Sequence, residues 1–144
     1  MHPLRTQIGH LYKTDHQALA PAQQAEGNRN GAAFDVSKYG SGTLVVNMGA
    51  VAGTPSATSI SYALQTSPDG TNGWAPLKNV DGADVVLTFT AGGTCKELDF
   101  DLQYVNQEHH HLRVVETVDF TGGTTPSVVT GATLTFGGSN RLPL

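Results

Sequence analysis

The chain is poor in charge. Asp, Glu, Lys and Arg make up 14% of its 144 residues, against about a quarter in ordinary soluble domains. Thr, Ser, Asn, Gln and Gly take their place, so the surface is wetted by hydroxyls and amides and repels neighbours weakly. Such a surface suits a subunit packed among many copies. The formal net charge is −4, and no run of Lys and Arg occurs; the electrostatic footprint of a nucleic-acid binder is missing. Apolar runs such as Leu44-Val45-Val46 and Val85-Val86-Leu87 are a few residues each, far short of the about 20 that span a bilayer. The first residues hold no apolar signal core, because His2, Arg5, Gln7, His10 and Lys13 interrupt them. A single cysteine, Cys95, allows no internal disulfide. These absences lead to the expectation of folding in a reducing cytoplasm, with no membrane and no nucleic acid as partner.

What is present divides near residue 33. Residues 1–33 are polar and hold few large apolar side chains. Asp15 to Ala20 has the makings of a helical turn that Pro21 ends, and Gly27-Asn28-Arg29-Asn30-Gly31 reads as a flexible loop. This segment is expected to be an extended N-terminal arm, with a reach on the order of 100 Å at roughly 3.3 Å per residue. Over residues 34–144 the apolar period becomes two. Leu44, Val46 and Met48 share a face, as do Ile60, Tyr62 and Leu64, then Val85, Leu87 and Phe89, then Leu98, Phe100, Leu102 and Tyr104, and finally Ala132, Leu134 and Phe136. Leu112, Val114 and Val118 follow the same rule, with Glu116 breaking it. Alternation of this kind gives each strand one buried and one wet face. Between the runs lie Ser67-Pro68-Asp69-Gly70, Asn72-Gly73, Asp81-Gly82, Gly92-Gly93 and Gly122-Gly123, which supply the backbone angles that reversals need. The pattern describes an all-β domain, an antiparallel β-sandwich or a jelly-roll or β-tulip-like fold, since the connections are too short for the crossover helices of a parallel sheet.

Chemistry-bearing residues are scattered. In Glu108-His109-His110-His111, strand spacing puts His109 and His111 on one face, and two such imidazoles can share a metal. No third ligand is legible, so the triplet reads as a strand entrance or a contact between copies; no metal or cofactor is expected. Asp99 and Asp101, with Glu97, line one strand face about 7 Å apart, an arrangement that reads as a solvated face or subunit contact rather than an acid/base pair. Like charges on an edge also discourage stray strand pairing. No Gly-x-Ser-x-Gly elbow occurs, and a nucleophilic role for Cys95 is not expected. Trp74, with Tyr62 or Tyr104, is the one candidate platform for stacking a sugar. An enzyme is not expected.

Ser67-Pro68-Asp69-Gly70-Thr71-Asn72-Gly73-Trp74 followed by Pro76-Leu77 resembles a strand-turn segment of small β-rich structural proteins of tailed bacteriophages. His111-Leu112-Arg113-Val114-Val115, Phe120-Thr121-Gly122-Gly123-Thr124-Thr125-Pro126-Ser127 and Ala132-Thr133-Leu134-Thr135-Phe136-Gly137 resemble their closing hairpin. Tyr39 to Gly49 fits their first strand, so the resemblance covers roughly residues 36 to 138. It implies a virion protein, foremost a capsid decoration (cement) protein made in the host cytoplasm and carried on the capsid surface. Its implied partners are the major capsid protein and further copies of itself, as a trimer. On that reading Leu4, Ile8, Leu11, Tyr12 and Leu19 are the expected capsid contacts of the arm, and His109, His111 and Arg113 the expected contacts between copies. A head-fibre base, a tail component or a carbohydrate-binding β-sandwich are the alternatives.

Overall fold

The computed structural model describes residues 7–139. After a 3-10 turn at Ile8–His10, ten strands follow in the order β1 (Lys13–Gln24), β2 (Gly27–Asn30), β3 (Phe34–Asp35), β4 (Ser41–Met48), β5 (Ala57–Ser67), β6 (Ala75–Pro76), β7 (Val86–Phe89), β8 (Cys95–Asp101), β9 (His111–Thr121) and β10 (Val128–Gly137). One sheet has the order β1-β10-β4-β8. The other has the order β2-β9-β5-β6, with β3 also on β9 and β7 also on β5. Every pairing is antiparallel.

The pairings nest. β1 lies on β10, β2 on β9, β4 on β8 and β5 on β7. The chain is therefore one long hairpin of four strand pairs, rolled so that successive pairs fall into alternate sheets, with β10·β4 and β9·β5 closing the roll. This is the strand order of an eight-stranded jelly roll, the architecture that packs two sheets face to face with few free edges. The sandwich and jelly-roll expectation for the fold holds.

Period two puts most of the core where the sequence placed it, but β8 ends at Asp101 and leaves Tyr104 exposed beyond it. Leu44 faces Leu134 and Val46 faces Ala132 across β4 and β10; Leu64 faces Val114 and Ile60 faces Val118 across β5 and β9. All of these are buried. At about 1.5–3 kcal/mol for each large apolar side chain removed from water, these facing layers supply the main drive for folding. At one end the core is closed by rings. Phe136 stacks on Tyr39 at 5.1 Å and meets His16 at 4.9 Å and Phe100 at 6.2 Å edge-on. Gly42 makes room here, since a Cβ at that position would lie 2.6 Å from the Phe100 ring.

The expected arm is a correction. Residues 13–30 form β1 and β2, one in each sheet, and both Ala18 and Leu19 are buried. Neither the helical turn at Asp15–Ala20 nor the loop at Gly27–Gly31 forms. The reason lies in β1's register, which shifts between Lys13 and His16, between Gln17 and Leu19, and between Leu19 and Ala22. Each shift inverts the face that the next side chain takes, so a simple alternation is never written in the sequence. Pro21 is tolerated because β1 is an edge strand. Between β2 and β3, which both lie on β9, the Gly31 N–H donates to Val114 O at 2.8 Å while the next N–H, of Ala32, donates to Ala18 O of β1 at 3.3 Å, so this link touches both sheets. A Cβ on Gly31 would sit 2.4 Å from Ala18 O and 2.9 Å from Val114 O, so only glycine fits between the two strands.

Candidate functional site

The end of the sandwich closed by Phe136 gathers most of the residues singled out in the sequence. Backbone hydrogen bonds extend the ladders of each sheet there. His110 N–H donates to Ser67 O, Val36 N–H to His110 O, Gly40 N–H to Gly137 O and Leu102 N–H to Gly40 O.

On the β5·β9 side, the loop after β5 is built by Ser67 and Asp69. The Ser67 hydroxyl, buried at the end of β5, bonds Asn72 O and accepts from Gly70 N at 3.1 Å. The Asp69 carboxylate accepts from Asn72 N at 2.7 Å and Thr71 N at 2.8 Å. These N–H donors, Asn72 first, hold its pKa down to about 2. Gly70 and Gly73 take the positive φ angles that reverse the chain. The reversal lays Trp74 over β9, where the Arg113 guanidinium stands 4.1 Å from the ring centroid. Gln65, directly opposite Arg113, accepts from its Nε at 3.0 Å and its Nη2 at 2.8 Å. Arg113 is thereby held flat between an amide and an indole, a rigid cation–aromatic pair of the kind enriched at protein interfaces. Trp74 Nε1 donates to Thr71 O at 3.1 Å, tying the indole to its loop.

The histidine triplet does not form one face. β9 begins at His111, so His109 lies in the turn before it, with Nδ1 2.9 Å from the Thr66 hydroxyl. His111 packs against Gly70 and pairs across the sheet with Asp35. Hydrogen bonds from Ser37, and then the neighbouring His111 and Lys38, hold the Asp35 carboxyl below its ordinary range. Among the described residues no group of three His, Cys, Asp or Glu side chains stands close enough to share a metal.

The capsid contacts assigned to the arm separate. Leu4 lies outside the described residues. Ile8 is 73% exposed in the 3-10 turn and Tyr12 is 43% exposed against Gly137, with Leu11 half-buried beside it. Leu19 is 3% exposed inside the sandwich, so it cannot touch a partner, and this assignment is corrected. The sugar platform also changes: Tyr62 is wholly buried, and Arg113 covers a face of Trp74. Glu97, Asp99 and Asp101 are exposed on β8, an edge strand, as the solvated-face reading expects.

One cluster escaped the sequence reading. Glu116, the residue that breaks the alternation of β9, points inward and is fully buried. Arg29 of β2 donates to it from Nε at 3.0 Å and Nη2 at 3.4 Å, and Thr130 of β10 donates at 2.6 Å. Arg29 also donates to Ala20 O of β1 at 2.8 Å and to the Thr130 hydroxyl at 3.1 Å. The group therefore bolts the two sheets together across the core. The Tyr62 hydroxyl is buried nearby without a hydrogen bond, and burial, then the Glu116 charge, drive its pKa upward. A carboxylate at an inward strand position was the available signal; its partner was hidden because Arg29 read as loop.

No family model matches the chain, and no curated protein matches it. Among solved structures it is similar to a chain of infectious bursal disease virus, Gx strain, at 12% identity and a TM-score of 0.49, over 90% of this chain and 32% of that one. It spans about a third of that viral chain's length. It is similar to a turnip yellow mosaic virus chain at 11% identity and a TM-score of 0.34, over 91% of this chain and 82% of that one. The prophage-derived protein YomS of SPBc2 is similar at 18% identity and a TM-score of 0.30, over 85% of this chain and 90% of that one. The jelly-roll assignment stands on the strand order of this chain itself.

Proposed function

We propose that the chain is a virion structural protein that binds the outside of a bacteriophage capsid and stabilises the shell by bridging capsomers. The observation that carries this reading is the jelly-roll order itself, an architecture shared by viral capsid domains, taken together with the phage-protein resemblance of residues 36 to 138. Because a fold hosts many functions, the local features matter as well. The two sheets are bolted by Arg29, Glu116 and Thr130, which makes a stiff brick. Its outward strand positions carry short neutral side chains such as Ser61, Ala63, Thr117, Thr133 and Thr135, which pack closely against another surface at little desolvation cost.

On this reading Ile8, Leu11 and Tyr12 replace the full-length arm as the capsid-facing apolar group. His109, His111 and Arg113, with Trp74 over Arg113, form the contact between copies of a trimer. Many weak contacts per copy become strong when a symmetric oligomer presents them together.

The test mixes the purified chain with expanded capsids assembled from the major capsid protein of the same genome. Saturable co-sedimentation at a fixed copy number, with a raised capsid disruption temperature, is the expected result. A chain lacking residues 1–12, which keeps every strand, is expected to bind far more weakly. Failure of the full chain to co-sediment rejects the capsid role. Binding to a glycan array that is lost in Trp74→Ala would point to the lectin-like alternative, and rings larger than trimers in mass photometry to a tail or connector role.

A further inference from the structure

The dipeptide Asn-Gly occurs twice, at Asn30-Gly31 and at Asn72-Gly73. Asparagine is thermolabile because the peptide nitrogen of the next residue can attack its side-chain carbonyl carbon and close a five-membered ring. A following glycine hinders that attack least, since it has no Cβ. The fold treats the two steps oppositely. Asn30 is paired with Val115 on β9, and the Gly31 N–H donates to Val114 O at 2.8 Å. Closing the ring there would break the ladder and turn the chain into the close contacts with Ala18 O and Val114 O. Asn72 and Gly73 are instead exposed in the loop after β5, outside every strand. Among the described residues nothing accepts a hydrogen bond from the Gly73 N–H. The Ser67 hydroxyl, fully buried, donates to Asn72 O, the carbonyl of the same peptide group. When the Gly73 nitrogen loses its proton, negative charge spreads onto that oxygen, and the hydroxyl stabilises it. The Asn72 side chain is restrained by a bond of 3.3 Å from Nδ2 to Asp69 Oδ2 at the surface, longer than the usual about 2.9–3.0 Å.

We propose that Asn72 is a site of spontaneous deamidation, with water as co-reactant, and that its conversion releases the loop that seats Trp74 on Arg113. The Gly73 nitrogen gives its proton to solvent and bonds to Asn72 Cγ. The Cγ–Nδ2 bond breaks, and the amide nitrogen takes a proton from solvent and leaves as ammonia. Water then opens the cyclic imide at either carbonyl. The net change is one water consumed and one ammonia released, with no oxidation. Opening at the former backbone carbonyl gives isoaspartate: the chain then runs through Cγ, one methylene longer, and the oxygen that accepted from Ser67 belongs to a free carboxylate. Either product removes the Nδ2 donor and sets a like charge beside the Asp69 carboxylate, which accepts from Thr71 N and Asn72 N. Trp74, two residues on and tied to Thr71 O, then loses its fixed place 4.1 Å from Arg113. The chemistry is the same with or without a capsid.

The test incubates the full chain in mildly alkaline buffer, folded and in urea, and follows both Asn-Gly steps by peptide mapping and mass spectrometry in water enriched in heavy oxygen. In the folded chain Asn72 is expected to convert about tenfold faster than Asn30 or more, with uptake of heavy oxygen; in urea the two are expected to convert at similar rates. Trp74 is the sole tryptophan, so its emission reports on the loop, and it is expected to move to longer wavelength as Asn72 converts. Asn72→Gln, which would have to close a six-membered ring, is expected to keep both its amide and its emission over the same period. Equal rates at Asn30 and Asn72 in the folded chain, or an Asn72 amide that persists when folded while it is lost in urea, overturns the proposal. So does an emission that stays put after conversion or drifts equally in Asn72→Gln.

Discussion

Replacing Arg29 by methionine keeps much of the side chain's volume and removes the charge that faces Glu116. The carboxylate is fully buried and would keep only the Thr130 donor at 2.6 Å, losing the Arg29 bonds at 3.0 and 3.4 Å. Hydrogen bonds to a charged group contribute about 1.5–3 kcal/mol each, and breaking a buried pair from one side costs about 3–5 kcal/mol because the remaining ion is stranded. The Arg29 side chain is 21% exposed, so water can replace part of what it supplied. The low end, about 3 kcal/mol, is therefore expected. Against a total stability of about 5–15 kcal/mol that is a large fraction, readable in urea unfolding at neutral pH as a lowered midpoint with an unchanged slope, and in a melting temperature lower by about 6–12 °C. The double variant Arg29→Met, Glu116→Leu leaves no stranded ion, and is expected to recover more than half of the loss. A loss below about 1 kcal/mol in Arg29→Met, or a double variant less stable than the single, would refute the argument that this pair bolts the sheets.

Further outcomes follow from the same structure. Phe136→Ala empties the centre of the ring cluster and is expected to cost about 4 kcal/mol in denaturant unfolding. Gly31→Ala drives a methyl into two backbone oxygens and is expected to cost about 2–3 kcal/mol; a neutral effect would mean that the packing of the β2–β3 link against β1 and β9 is looser than described. Asp69 is held at about 2, below its ordinary 3.8, so its ionised form favours the folded loop. That contribution is present above pH 3.8 and is lost as pH falls through about 2. Asp69→Asn should therefore flatten the acid limb of a stability–pH profile, and an unchanged limb would count against the loop geometry.

Which parts of the fold could be read from the sequence follows from register. Strands β4, β5, β9 and β10 pair through long stretches with no register shift between β4 and β10 or between β5 and β9, so their alternation is written plainly and the core of Leu44, Ile60, Tyr62, Leu134 and Phe136 was legible. β1 carries three shifts and a single large apolar residue, Leu19, which makes an integral strand look like a tail. β2 is four residues of Gly, Asn and Arg, with no apolar period at all; what holds it is the ladder to β9 and the Arg29–Glu116 pair. The turn residues around Asp69 and Gly73 were legible as turns, but not that the turn would set Trp74 on Arg113, because that meeting depends on Gln65 and Arg113 facing one another across two strands 48 residues apart.

The most direct test of the account asks whether residues 13–30 belong to the sandwich. In two-dimensional NMR of the full chain, nuclear Overhauser contacts are expected between Leu19 and Ala132, between His16 and Leu134, and between Arg29 and Glu116, with slow amide exchange at Gly31. Random-coil shifts and fast exchange throughout residues 13–30 would contradict the jelly roll and restore a free arm on a smaller sandwich.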